Sequence, residues 1–235
     1  MRALEGIKVV EFGDGVAVGY CGALLRACGS SVIKIEPPKN GDSVRHLPPF
    51  AEGICSPEAS GFHAFLNAGK SSVAIDLEKT GGATLANQLC LDADVVLEAL
   101  GPDTANRIGV EYKVLRAESP SLVMVSLSWF GADGPRRNWV GNDAIVQALA
   151  GFIYPIGTKE GPPIIPGGYQ AQITGGLTAF VATMTAMIGV LTHNEGVLID
   201  QSILEAQATY SESAGVRYAY DGTPSVRKGL NKFQP

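Results

Sequence analysis

The sequence predicts an α/β fold, a Rossmann-like and mainly parallel sheet with helices on both faces, and three observations carry that expectation. First, Ile7 to Val10 is an apolar run, Gly13, Asp14 and Gly15 turn the chain, Ala17 to Cys28 follow at helical spacing, and Ser31 to Ile35 is a second apolar run. Strand, glycine turn, helix, strand is a βαβ unit, whose right-handed crossover makes its strands parallel. Second, further short strand-like runs at Ser72 to Asp76, Val95 to Leu97, Leu122 to Leu127 and Val197 to Ile199 alternate with helical stretches. Third, 235 residues at 46% hydrophobic content suffice for one sizeable core, so one large domain is expected.

Composition removes several function classes. A net charge of −5 without long runs offers no basic stripe, so no nucleic-acid partner is expected. Cys21, Cys28, Cys55 and Cys90 lack C-x-x-C spacing, and His46, His63 and His193 lie far apart, so no metal site is expected. The start, MRALEGIKVV, moves straight into a core strand with no three-part leader, so the expected home is cytoplasmic. Ile173 to Leu191 is the longest apolar segment. Its four threonines and three glycines make it a buried helix rather than a membrane span.

The first turn carries two glycines two residues apart, but Val18 stands where a dinucleotide fingerprint needs its third, so that motif is not read here. Glu36 ends the second strand, where such sites place an acid. Pro37 and Pro38 then make an extended exit to Gly41, Asp42 and Arg45. Arg45 has two readings, an exposed turn residue or part of a cationic, amide-rich rim for a phosphate-bearing ligand. Leu47 to Gly61 is an irregular excursion, and Phe62 to Leu66 is a short helical piece. Gly81 to Leu91 is a helix with Thr80 placed to cap it. Tyr112 to Ala117 is helical and ends at Ser119 and Pro120. The loop WFGADGP closes the following strand, at the end where open α/β sheets put ligands, and Arg136 and Arg137 after it read as solvent-facing. Asn142 is placed to cap a helix reaching Phe152, with Asp143 in its first turn, where the dipole favours an acid. Gly157 to Gly168 is a proline-rich turn segment. After the last strand a single helix is expected from Ser202 to about Tyr220, followed by loop.

LEGIKVVEF, VIKIEPPKNGDSVR, NAGKSSVAIDL at Asn67 to Leu77, ADVVLEALGPDTANRIG at Ala93 to Gly109, and SLSWFGADGP at Ser126 to Pro135 recur in this order. Together they resemble the family III CoA-transferases, the group that also holds formyl-CoA transferase, carnitine CoA-transferase and α-methylacyl-CoA racemase. The likeness implies that residues 1–220 are the large domain of that fold and 221–235 the start of a linker toward a small domain the chain lacks. It implies that CoA or acyl-CoA binds as substrate, with no permanently bound cofactor. A small carboxylic acid is the second substrate. Val16, Ala17, Arg45 and Lys70 fall at CoA-binding positions, as do Ile75, Ala99, Leu100 and Arg107. Ala99 and Leu100 replace an asparagine and an aromatic of the usual signature. For Arg107 the likeness implies a CoA phosphate contact, while the residue alone reads equally as a helix arginine covering apolar surface.

Enzymes of this family use an aspartate that attacks the thioester, giving a mixed anhydride and then an aspartyl-CoA thioester. A gapless register through to Glu205 puts that aspartate at Gln172, with Asp143 matching an acid beside the reacting centre. A carboxamide has no ionised oxygen and forms no labile anhydride. The racemase pair is missing too, since Gln172 and Asn142 replace its aspartate and histidine. Asp14, Glu36 and Asp42 lie on early loops, and nothing in the sequence puts one at the thioester. With GVAVGYCG at Gly15 to Gly22, the absent aspartate resembles the aspartate-less subunit of benzylsuccinate CoA-transferase-type heteromers. That implies a homo- or hetero-oligomer with an aspartate-bearing homologous subunit. A noncatalytic CoA-binding or scaffold protein, or a truncated remnant, is the reading of a different class.

Overall fold

The structure is a computed structural model that describes residues 2–227 and 229. Strands β1 (Lys8–Gly13), β2 (Ser31–Glu36), β3 (Ser71–Ala74), β4 (Val95–Ala99), β5 (Val123–Ser128) and β6 (Leu198–Ser202) form one sheet in the order 3-2-1-4-5-6. Every neighbouring pair is parallel. The chain reverses its direction of travel across the sheet between β1 and β4, and the crevice outside their carboxyl ends is where such sheets bind ligands.

The helices are α1 (Val16–Ala27), α2 (Gly61–Asn67), α3 (Thr80–Leu91), α4 (Pro102–Arg107), α5 (Tyr112–Glu118), α6 (Asp143–Leu149), α7 (Gln170–His193), α8 (Ile203–Ala208) and α9 (Glu212–Asp221). Because strand side chains alternate, the sheet has two apolar faces. Val9, Val95, Leu97 and Val125 pack on one face with Leu25 of α1 and Ala179 of α7. Val10, Phe12, Val96 and Met124 pack on the other with Cys90 of α3 and Leu115 of α5. The predicted fold class is therefore the observed one.

Three local expectations are corrected. Thr80 is the first helical residue of α3 and Lys79 holds the N-cap, without a side-chain cap bond. The helix expected from Ser202 breaks into α8 and α9 at a tight turn, Thr209–Ser211. Ser211 Oγ donates there to the Ala150 carbonyl at 2.8 Å, which ties the turn to the end of α6. The apolar segment inside α7 is only half a buried helix. Gly175, Gly176, Ala179 and Thr183 face the core, whereas Leu177, Val181, Ile188 and Leu191 are exposed. Among the described residues α7 alone is long and apolar enough, by length and composition, to cross a membrane, and here it packs along α1 and α8. Of the expected closing segment, 228 and 230–235 lie outside the described residues.

The close approach of α1 and α7 sets the geometry of the crevice. A Cβ on Gly176 would run into the Ala17 carbonyl, and one on Gly175 would come within 2.9 Å of Ile203 Cγ1 in α8. Gly176→Ala is therefore expected to force the helices apart and cost about 1 to 3 kcal/mol in urea denaturation. Gly189→Ala on the same helix faces open space and is expected to be neutral or slightly stabilising.

Candidate active site

The turn from β1 to α1 is built on Gly13, Asp14 and Gly15. Gly13 has φ 89° and Gly15 φ 103°, a region that side-chain-bearing residues rarely adopt. A Cβ on Gly13 would lie 2.8 Å from the Ala99 backbone, so the turn is pressed against the end of β4. Gln172, in the first turn of α7, reaches into this bend, and its Oε1 accepts the Val16 N–H at 3.1 Å. That bond fixes the orientation of the carboxamide. The amides of Ala17 and Val18, which helix geometry leaves without intrahelical acceptors, belong to residues lining the same space.

That space is a cavity of about 240 Å³ at the carboxyl ends of the strands. Asp14, Ala17, Ala99, Leu100, Gln172 and Trp129 line it, as does Arg137. Asp14 is open to solvent there, and its Oδ1 accepts the Ser43 N–H at 2.5 Å. Arg137 is solvent-exposed, as expected, and also lines the cavity mouth. Its neighbour Arg136 lies over the Trp139 ring, 5.4 Å from the centroid, and Trp139 packs edge-on against Phe130.

Asp143 stands behind Gln172 rather than in the cavity. Its Oδ2 and Oδ1 accept the backbone N–H groups of Ala171 and Gln172, each at 3.1 Å, so the carboxylate caps α7 and positions Gln172. Burial raises the Asp143 pKa despite these bonds. Asn142 caps α6 as expected, accepting the Ile145 N–H at 2.9 Å.

Beneath the α1 turn runs a buried chain of alternating charge. Lys70 Nζ meets Glu11 Oε2 at 2.7 Å, Glu11 Oε1 meets Lys34 Nζ at 2.6 Å, and Lys34 meets Asp42 Oδ2 at 2.6 Å. Asp42 Oδ1 accepts the Val44 N–H at 2.9 Å and the Gly15 N–H at 3.3 Å, so the chain ends on the turn itself. Burial would discharge Lys34, but the flanking Glu11 and Asp42 outweigh it and raise its pKa. For Lys70 burial wins and the shift is downward. Burial also acts on Asp42, where Lys34 together with the hydrogen bonds from Asp14 and the Val44 amide outweighs it and lowers the pKa.

The expected CoA-binding residues therefore divide. Val16, through its amide, and Ala17, Ala99 and Leu100 meet at the cavity with Gln172. Lys70 does not stand on a rim: its side chain is 1% exposed and is held by Glu11, the Gly19 carbonyl and Asn67. Ile75 is a core residue of the second face. Arg45 is locked on Glu36, with Nε to Oε2 at 2.7 Å and Nη2 to Oε1 at 2.9 Å, and reaches Glu58 at 3.0 Å. Arg107 is exposed and pairs with Glu78. Among the described residues no group of three or more His, Cys, Asp or Glu side chains clusters to hold a metal.

Comparison with known proteins agrees with this architecture. The sequence profile of CoA-transferase family III matches residues 4–234. The succinate–glutarate CoA-transferase of Agrobacterium fabrum is 34% identical over 229 residues, which are 96% of this chain and 57% of that protein. Subunit BbsE of the succinyl-CoA:(R)-benzylsuccinate CoA-transferase of Thauera aromatica is 29% identical over 213 residues, 91% of this chain and 51% of the subunit. A crystal structure of a CAIB/BAIF family protein from Brucella suis superposes with a TM-score of 0.91 at 29% identity, covering 98% of this chain and 61% of that one. The chain thus spans little more than half the length of the curated relatives it matches.

The Glu36 site makes a prediction for acid stability. Burial acts to raise the Glu36 pKa, but the bonds from Arg45, Ser72 and the Asp42 amide outweigh it and bring it down from 4.5 to about 2. A carboxylate with a depressed folded-state pKa stabilises the fold above its unfolded value, and loses that contribution as pH falls toward the folded one. Arg45→Met is therefore expected to be less stable than wild type at neutral pH, with the gap narrowing between about pH 4.5 and about pH 2 in urea melts.

Proposed function

Because the chain belongs to the family III CoA-transferases, we propose that it is one unit of an enzyme that moves CoA between an acyl-CoA donor and a small carboxylic acid. The observation that carries this is the cavity at the strand ends, where the first amides of α1, the Gln172 carboxamide and Asp14 converge. Amides and a carboxamide around one point suit a thioester carbonyl, whose oxygen gains charge when it is attacked. Gln172 Oε1 is taken by the Val16 amide, which leaves its N–H donors for such an oxygen.

Residues 1–220 are the large domain in this proposal, with the chain beyond α9 leading toward a smaller lobe, as the 57% coverage of a full-length relative supports. Leu177, Val181, Ile188 and Leu191 form an exposed apolar stripe on α7, which supports burial against a homologous subunit. Four free cysteines fit a cytoplasmic setting. Coenzyme A enters as substrate, not as a resident group.

Which carboxylate performs the exchange has two readings. Gln172 favours a heteromer in which an aspartate-bearing homologous subunit does the covalent work, as BbsE, named as a subunit, suggests by analogy. Asp14, lining the same cavity, favours a carboxylate of this chain. The test is to incubate the protein with succinyl-CoA and candidate acids, alone and mixed with an aspartate-bearing homologue. New acyl-CoA formed only in the mixture supports the heteromer, and turnover by this chain alone removes that requirement. If neither sample binds CoA in calorimetry, the transferase reading fails altogether.

A further inference from the structure

We propose that Asp14 is the carboxylate that takes the acyl group, and then CoA, in this chain. The inference rests on the CoA-transfer reading above and names the nucleophile within it.

Asp14 lies between the last residue of β1 and Gly15, the N-cap of α1, at the carboxyl end of the sheet beside the positive end of a 12-residue helix. It shares the cavity with Gln172, the Ala17 and Val18 residues and the Ser128–Trp129 wall. Gln172 Oε1 sits 3.2 Å from the point where a Cβ on Gly15 would be, so the carboxamide lies beside the residue next to Asp14. A nucleophile must also be held. The Ser43 amide grips Oδ1, and the carboxyl also shares a hydrogen bond with Asp42. The Lys34–Glu11–Lys70 chain anchors Asp42 in turn. Burial, and after it the Asp42 carboxyl, raise the Asp14 pKa, which makes its oxygen more basic than an ordinary aspartate's.

The step balances without an added reagent. Released from its hydrogen bond with Asp42, the Asp14 carboxylate attacks the thioester carbonyl carbon, the C–S bond breaks, and the electron pair leaves on the CoA thiolate, giving a mixed anhydride. The thiolate then attacks the Asp14 carboxyl carbon, and the donor acid departs as its carboxylate. The product is an Asp14 thioester of CoA. An acceptor carboxylate attacks that thioester carbonyl, and the same two steps in reverse release the new acyl-CoA and restore Asp14. No net proton or electron is consumed. The Ala17 and Val18 amides and the Gln172 N–H donors supply positive edges for the oxyanion formed at each attack.

The experiment is adduct mapping on the purified protein, together with any homologous subunit that accompanies it. The sample is incubated with succinyl-CoA, treated with hydroxylamine, digested and sequenced by mass spectrometry, while calorimetry follows CoA binding in parallel. Expected is a hydroxamate on Asp14, lost in D14N while CoA still binds. A hydroxamate on another carboxylate of this chain, or on the homologous subunit, overturns the inference and leaves CoA transfer standing. Bound CoA with no adduct also overturns it. Absence of CoA binding overturns both. The wild-type map decides the matter even if D14N folds poorly.

Discussion

The meeting of two helix starts is the constraint from which the rest follows. The α1 and α7 backbones approach closely because Gly176 leaves room for the Ala17 carbonyl, and the Gln172 carboxamide closes the contact by accepting the Val16 amide. Were a side chain to stand at 176, α7 would move outward and carry Gln172 away from the turn. Asp143 fixes the same end from the other side by capping α7. The position of the carboxamide is therefore set by packing and two sets of backbone bonds, none of which depends on a bound ligand.

The second support is electrostatic. Lys70, Glu11, Lys34 and Asp42 alternate in sign through an interior that would reject any of them alone. Each ion is held between partners, and the last of them, Asp42, binds the Gly15 amide in the turn. This chain converts a costly set of buried charges into a rigid base for the loop that carries Asp14. It also explains why Lys70, although polar and close to a CoA-binding signature, is not available to a phosphate.

The sheet was legible because its signals are local: apolar runs of strand length, glycine turns and helical spacing recur in order, and each maps to an observed element. Asn142 as a cap and Gln172 beside Asp143 were legible for the same reason or through the family likeness. What stayed hidden depends on tertiary placement. Nothing along the chain ties Arg137 or Asp14 to Gln172, since their shared cavity forms only when β1, β5 and α7 converge. One missed signal was present in the sequence. Glu11 and Lys34 interrupt apolar strands, and the parallel register sets them opposite each other. A charge in each of two neighbouring core strands points to a buried pair, and reading it would have drawn Lys70 inward as well. The broken helix after β6 left no such mark, because Thr209 and Ser211 suit a helix surface as well as a turn.

The central claim is that the α1 turn, held by Gln172 and backed by the buried charges, presents Asp14 to a thioester in the strand-end cavity. A crystal structure with a non-hydrolysable acyl-CoA analogue tests it most directly. The account predicts the acyl carbonyl oxygen within about 3 Å of the Gln172 amide nitrogen or the Ala17 and Val18 amides, with an Asp14 carboxylate oxygen about 3 to 3.5 Å from the carbonyl carbon. An acyl carbonyl bound elsewhere, or an Asp14 carboxylate turned away from it, would contradict the account.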